Sequence, residues 1–181
     1  MRIVAGSAKG TRLAPVPAGT RPLLDRAREG LFSSLGPTVE GARVLDLFAG
    51  TGALGIEALS RGARSALFVD SSPGAARVIG ENLRRTRLAA AGTVRRQEAL
   101  RALRQGPGPF DLILLDPPYR TPDATVDTLL AEIAGQGVSE AGATVVLTRP
   151  KAGYMPVIPI HWRPVRQLAY GDMLVLVFQT P

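Results

Sequence analysis

The 181-residue chain contains no cysteine and a single histidine, His161. Without cysteine there is no disulfide scaffold, no thiolate-ligated metal and no covalent catalysis through a thiolate. One histidine cannot build a zinc site, and His161, between Ile160 and Trp162 in a proline-flanked segment, suits a surface or packing role. No metal is expected. The first residues carry no apolar signal core and no apolar run approaches the length of a membrane span, so a cytoplasmic protein is expected. Internal repeats and long linkers are absent, and the length suits one domain able to bury a substantial core.

What is present is concentrated at the ends of two apolar runs. The run Phe110-Asp-Leu-Ile-Leu-Leu115 stops at Asp116-Pro117-Pro118-Tyr119. Proline cannot continue a central ladder, so this reads as a buried strand with Asp116 at its carboxyl end, the edge where open parallel sheets bind ligands. A carboxylate there can accept the N–H bonds of an exocyclic base amine, whose lone pair is delocalised into its ring, and favour the charge that develops on it. The prolines restrict the loop, and the flat Tyr119 ring offers a stacking face for a base swung out of its helix.

The second run, Val44-Leu-Asp46-Leu-Phe48, turns through Ala49-Gly50-Thr51-Gly52 into the helical pattern 53–59. Glycines at 50 and 52 permit positive φ and close backbone approach, and the helix start presents unpaired N–H groups. Gly50-x-Gly52-x-x-Gly55 also matches the dinucleotide fingerprint, with Asp70 ending the next strand near the expected spacing. Asp46 before the glycines and the later Asp-Pro-Pro-Tyr, for which hydride transfer has no use, argue against a nicotinamide and point to methyl transfer to nitrogen. Gly6-Ser-Ala-Lys9-Gly10-Thr11 fails as a phosphate loop, because its lysine precedes the final glycine and no helix follows.

Charge is uneven. The net charge is +7, and residues 1–35 hold Arg2, Lys9, Arg12, Arg21, Arg26 and Arg28 against Asp25 and Glu29. This marks a phosphate-facing segment, expected as a small hairpin (2–5 with 11–14), a proline-marked loop and a helix over 25–35. A second basic cluster, Arg84, Arg85, Arg87, Arg95 and Arg96, suits a solvent-facing position.

The stretch 46–63, DLFAGTGALGIEALSRGA, resembles the cofactor loop of S-adenosylmethionine-dependent methyltransferases, in particular the bacterial 16S ribosomal RNA guanine-N2 methyltransferases of the RsmD type. Arg2-Ile-Val-Ala-Gly6, Lys9-Gly-Thr-Arg-Leu13, Arg21-Pro22 and Asp25-Arg-Ala-Arg-Glu-Gly-Leu-Phe32 resemble the segment that precedes the cofactor domain in that family, and Tyr170-Gly171-Asp172 its closing hairpin. The resemblance spans nearly the whole chain, the amino-terminal motif being its most specific part. Leu23 stands where the family usually has threonine, Asp70-Ser71-Ser72 keeps the ribose acid but drops a usual lysine, and Met173 replaces a common threonine.

The expected fold is α/β: a Rossmann-like class I methyltransferase with a mostly parallel seven-stranded sheet. Strands are expected near 44–48, 66–69, 93–96, 110–115 and 143–148, helices over 74–86 and 124–134, and a closing antiparallel hairpin of 165–169 with 174–179 after a loop over 154–164. Residues 1–35 form a basic appendage and 36–181 the methyltransferase domain. The resemblance implies S-adenosylmethionine as cofactor, held by Asp46, Gly50, Gly52, Asp70, Gln97 and Glu98. Asp116, Pro117, Pro118 and Tyr119 are the expected catalytic loop, and the partner is small-subunit ribosomal RNA, in an assembled particle and met by a monomer. With no cysteine, methylation of a pyrimidine ring carbon through a covalent adduct is excluded. A DNA adenine-N6 methyltransferase shares the Asp-Pro-Pro-Tyr chemistry, but little chain is left for reading base edges. A catalytically idle RNA-binding assembly module retains the fold, yet here the motif residues are intact.

Overall fold

The computed structural model describes residues 1–15, 25–135 and 137–181. Arg21 and Leu23 lie outside the described residues. Seven strands form one sheet: β1 (Arg43–Leu47), β2 (Ser65–Asp70), β3 (Gly92–Arg96), β4 (Phe110–Leu115), β5 (Ser139–Pro150), β6 (Arg163–Tyr170) and β7 (Met173–Gln179). Their order is β3-β2-β1-β4-β5-β7-β6. The first five run parallel, and β7 inserts antiparallel between β5 and β6. The order reverses between β1 and β4, so the loops after those two strands flank the crevice in which open α/β sheets bind ligands.

Among the described residues five α-helices cover the sheet: α1 (Asp25–Leu35), α2 (Ala53–Ser60), α3 (Pro73–Arg85), α4 (Ala99–Arg104) and α5 (Asp123–Ala134). Side chains alternate between the two faces. Val44, Leu112, Leu114 and Val146 join α1, α2 and α3 in one core. Leu45, Leu47, Ile113, Leu115 and Leu147 join α4 and α5 in the other. With both faces covered, the inner strands read as continuous apolar runs. The hairpin is longer than its sequence pattern, and β5 reaches back to Ser139 past a register shift opposite Phe110 and Leu112. The six residues of α4 are too few for helical periodicity to reveal them.

The amino-terminal hairpin is reduced to one antiparallel bridge, Arg2 with Arg12, flanked by the bond from Ile3 N to Thr11 O, 3.0 Å. It is nonetheless part of the core. Ile3, Ala8 and Leu13 are buried in the same cluster as Leu31, Phe32 and Ile56. Main-chain groups tie it down: Val4 N and Ala5 N donate to the Glu57 carboxylate at 2.8 and 3.0 Å, and Ala8 N donates to Ser60 Oγ at 2.9 Å. Gly6, at φ +82°, passes so close to the end of α2 that a Cβ would stand 1.7 Å from Ser60 O.

The same packing corrects one expectation. Arg28 does not face phosphate: it is 0% exposed, its Nε lies 3.4 Å from buried Glu57, and its Nη2 bonds Asp25 at 2.9 Å and the Arg2 carbonyl. The arm and α1 close over Glu57, and a buried carboxylate needs a charged partner beside it, which Arg28 supplies together with Arg61 at 2.8 Å.

Candidate active site

β1 delivers Asp46 to the carboxyl edge, and the chain then leaves through a strained turn. Phe48 has φ 60°, unusual for a bulky side chain, and Gly50 and Gly52 have φ 56° and 77°. Around Gly50 there is room: a Cβ built there would meet nothing nearer than Phe48 O at 3.9 Å. Gly55 has the opposite reason to be glycine, since a Cβ there would lie 2.4 Å from the Phe68 ring, so it lets α2 press onto β2.

Main-chain N–H groups hold both acids on this side. Gly55 N donates to Asp46 Oδ2 at 2.9 Å, while Gly50 N and Ser72 N donate to the two oxygens of Asp70, each at 2.9 Å. Asp46 is 1% exposed and, among the described residues, its Oδ1 is buried without a partner. Burial, reinforced by the charges of Asp116 and Asp70, pushes its carboxyl well above the usual carboxylate range. Gln97 N donates to Asp70 O at 3.0 Å, so the turn carrying Gln97 and Glu98 is fixed beside Asp70. Glu98 is exposed at the start of α4.

Across the crevice, Asp116 follows β4 and its Oδ1 accepts a hydrogen bond from the Thr148 hydroxyl of β5. Burial raises the Asp116 carboxyl, and the Thr148 bond opposes the rise. Pro117 is buried, Pro118 is exposed and Tyr119 is 38% exposed. The loop turns back where Thr121 N meets Pro118 O at 2.8 Å, and it ends at Asp123, which accepts from Arg149 Nη2 at 2.6 Å. Successive residues of β5, Thr148 and Arg149, thus hold the two ends of the Asp-Pro-Pro-Tyr loop. Neither was singled out from the sequence, because both finish a strand that carries no motif of its own.

Asn82 of α3 also escaped notice. Fully buried, it accepts from Ala14 N (2.7 Å) and donates to Ala14 O (3.2 Å) and to Thr51 O (2.9 Å), joining the amino-terminal arm to the glycine turn. Its signal is the position: a polar residue within the apolar stripe of α3. Of the arm's basic residues, Arg2, Lys9, Arg12 and Arg26 are exposed. Two open clefts of about 490 and 660 Å³ lie elsewhere, along the 155–162 segment, and neither includes Asp46, Asp70 or Asp116. Among the described residues no group of acids and histidine could hold a metal, and no helix is long and apolar enough to cross a membrane.

The edge therefore offers an open glycine turn, a buried acid with one orphaned oxygen and a second acid with acceptor capacity beyond its two main-chain bonds. These features fit a cationic ligand that bears an ammonium group and vicinal hydroxyls. A family model described as Conserved hypothetical protein 95 matches residues 1–179. The chain is 33% identical to Ribosomal RNA small subunit methyltransferase D of Escherichia coli (strain K12) over 99% of its own length and 89% of that protein. Its fold superposes on that of the E. coli methyltransferase candidate yhhF with TM-score 0.89 and 31% identity, covering 99% and 97% of the two chains. A hypothetical protein of Thermus thermophilus gives TM-score 0.80 and 35% identity, covering 98% of each.

Proposed function

Because the chain belongs to the Conserved hypothetical protein 95 family, we propose that it transfers a methyl group from S-adenosylmethionine to the exocyclic N2 amine of a guanine in small-subunit ribosomal RNA. The observation that carries this reading is Asp116, half-buried just past the end of β4, hydrogen-bonded by Thr148 and set beside the switch in strand order between β1 and β4. The cofactor, when bound, supplies an electrophilic methyl group on a positively charged sulfur. Gly50 and Gly52 give the backbone close approach to its methionine part. Asp46 Oδ1 accepts from its ammonium, the remaining lone pairs of Asp70 accept from its ribose hydroxyls, and Gln97 or Glu98 reaches its adenine. Three carboxylates on one edge repel one another, and a cation placed among them relieves that repulsion.

On the target side Thr148 occupies Asp116 Oδ1, which leaves Oδ2 for the guanine amine. Accepting an N–H turns the nitrogen lone pair toward the methyl group and opposes the charge that grows on nitrogen as the new bond forms. A carboxyl raised by burial is also a better proton acceptor than an ordinary one, so the amine proton can pass to Asp116 Oδ2 and then to water. Pro117 and Pro118 hold the loop, and Tyr119 stacks on the flipped base.

Arg2, Lys9, Arg12, Arg21 and Arg26, in the 1–35 segment, dock phosphates beside methyltransferase domain 36–181. The substrate is an assembled small subunit met by a monomer, which puts the reaction in the cytoplasm. The test is methyl transfer from labelled S-adenosylmethionine to small subunits of a strain lacking the gene, followed by nucleoside analysis. Label in N2-methylguanosine supports the assignment. Label in any other nucleoside, or acceptance of DNA in place of the subunit, overturns it.

A further inference from the structure

The arm is not where most of the positive charge lies. Residues 77–104 contain eight arginines and two glutamates, a net +6 in a chain whose total is +7. Only two of these arginines are neutralised locally: Arg85 by Glu81 at 2.6 Å and Arg104 by Glu132 at 2.7 Å. The other six make no ion pair among the described residues. They lie on α3, on the turn after it, on β3 at the sheet edge and on α4.

Four of the six are exposed along α3 and β3. Arg77 and Arg84, seven residues apart, share the solvent face of α3, separated by about 10 Å of helix rise. Arg87 continues the row just beyond the helix. Arg96 stands at the carboxyl end of β3, paired in register with Asp70, so the row adjoins the edge that carries the candidate site.

Arg87 adds an observation that surface charge alone does not explain. Its φ is 60°, at the point where the chain leaves α3 through the bonds from Arg87 N to Arg84 O and from Leu88 N to Leu83 O. A left-handed residue that closes a helix is usually glycine or asparagine, because a Cβ is strained there. A cation beyond the end of α3 gains from the helix dipole, but at an exposed site by less than a left-handed Cβ costs. A strained residue that persists is a pointer to a role for its side chain.

We propose that this α3–β3 edge is a second RNA-docking surface, which takes phosphates of ribosomal RNA away from the target nucleotide. The inference rests on the reading of the protein as a ribosomal RNA methyltransferase. Unpaired guanidinium groups in a row suit phosphate, with its bidentate acceptor geometry, and release counterions on binding. The surface holds the particle without reading sequence, while Asp116 and Tyr119 handle the target base.

The test combines Arg77→Gln, Arg84→Gln, Arg87→Gly and Arg96→Gln. Binding to unmodified small subunits and to protein-free 16S RNA is measured between about 50 and 200 mM salt, the range in which phosphate contacts are most visible. The expected result is a KM for subunits raised about tenfold or more at the upper salt, and a salt slope shallower by roughly three, at about 0.7 to 0.9 per lost contact. Turnover at saturating subunit and cofactor affinity stay at parent values. Arg87→Gly alone should keep or raise the melting temperature while weakening RNA binding, a combination that a purely structural role does not produce. An unchanged salt slope overturns the proposal, and so does loss of binding to the particle alone, which makes the partner a ribosomal protein. If the parent enzyme fails to methylate subunits, the functional reading fails, while the parent-against-variant binding comparison still decides the docking surface.

Discussion

The two sides of the crevice hold their acids by different means. On the side of β1 and β2, Asp46 and Asp70 are gripped by three main-chain N–H groups, from Gly55, Gly50 and Ser72. On the side of β4 and β5, Asp116 is held by one side-chain hydroxyl, and the loop after it ends on a side-chain ion pair. A backbone donor survives nearly every substitution. The first side is therefore fixed by the path of the chain, whereas the second is set residue by residue and can be altered by one change. That suits a cofactor pocket of constant shape next to a target pocket that must fit its base.

Removing Asp116 tests this division most severely. Asp116→Ala should lower single-turnover methylation by about a hundredfold or more, equivalent to about 2.7 kcal/mol of transition-state stabilisation, with cofactor affinity by calorimetry unchanged. A parallel fall in cofactor affinity would show that the two sides are not separate. Asp70→Ala should do the converse, weakening cofactor binding by roughly tenfold or more through loss of charge-assisted hydrogen bonds. It should also release the Gly50 N–H, and turnover at saturating cofactor should change much less.

Thr148→Val gives a smaller, pH-shaped effect. The hydroxyl bond lowers a carboxyl that burial raises, so its removal lets the Asp116 value climb further. Asp116 must be ionised to accept the amine, so the acidic limb of the rate profile should move to higher pH. Activity should fall several-fold on that limb and recover as pH rises. A loss equal at every pH would assign Thr148 a purely structural role. The smallest effect is expected for Tyr119→Phe, which keeps the stacking ring, against roughly 1 to 3 kcal/mol of base binding lost in Tyr119→Ala. A Tyr119→Phe variant as slow in single turnover as Tyr119→Ala would move the role of Tyr119 from its ring to its hydroxyl.

Much of the sheet could be read from the chain because its inner strands are apolar runs ended by glycine or proline, which also placed Asp46, Asp70 and Asp116 on one edge. Thr148 could not be found that way. Its meaning depends on β5 lying beside β4, a pairing across 32 residues that no local pattern announces. Arg28 is hidden from a reading of the chain for a related reason. All eight residues of α2 are buried, Glu57 included, because the arm and α1 cover the face that a surface helix would turn to water. A charge count treats Arg28 and Arg26 alike, although one is enclosed and the other exposed.

The docking of the arm also has a consequence in time. Its partners lie far downstream: Glu57 and Ser60 are 52 to 55 residues beyond the groups they bind, and Asn82 is 68 beyond Ala14. At a synthesis rate of about 5 to 20 residues per second, Ala14 waits roughly 3 to 14 seconds before Asn82 has been added. The earliest-made residues thus wait for groups that are made well after them. Until then Ile3 and Leu13 have no core to enter, and the basic side chains beside them belong to an unanchored strand. The segment that comes to lie against the glycine turn spends its first seconds as an open, positively charged tether.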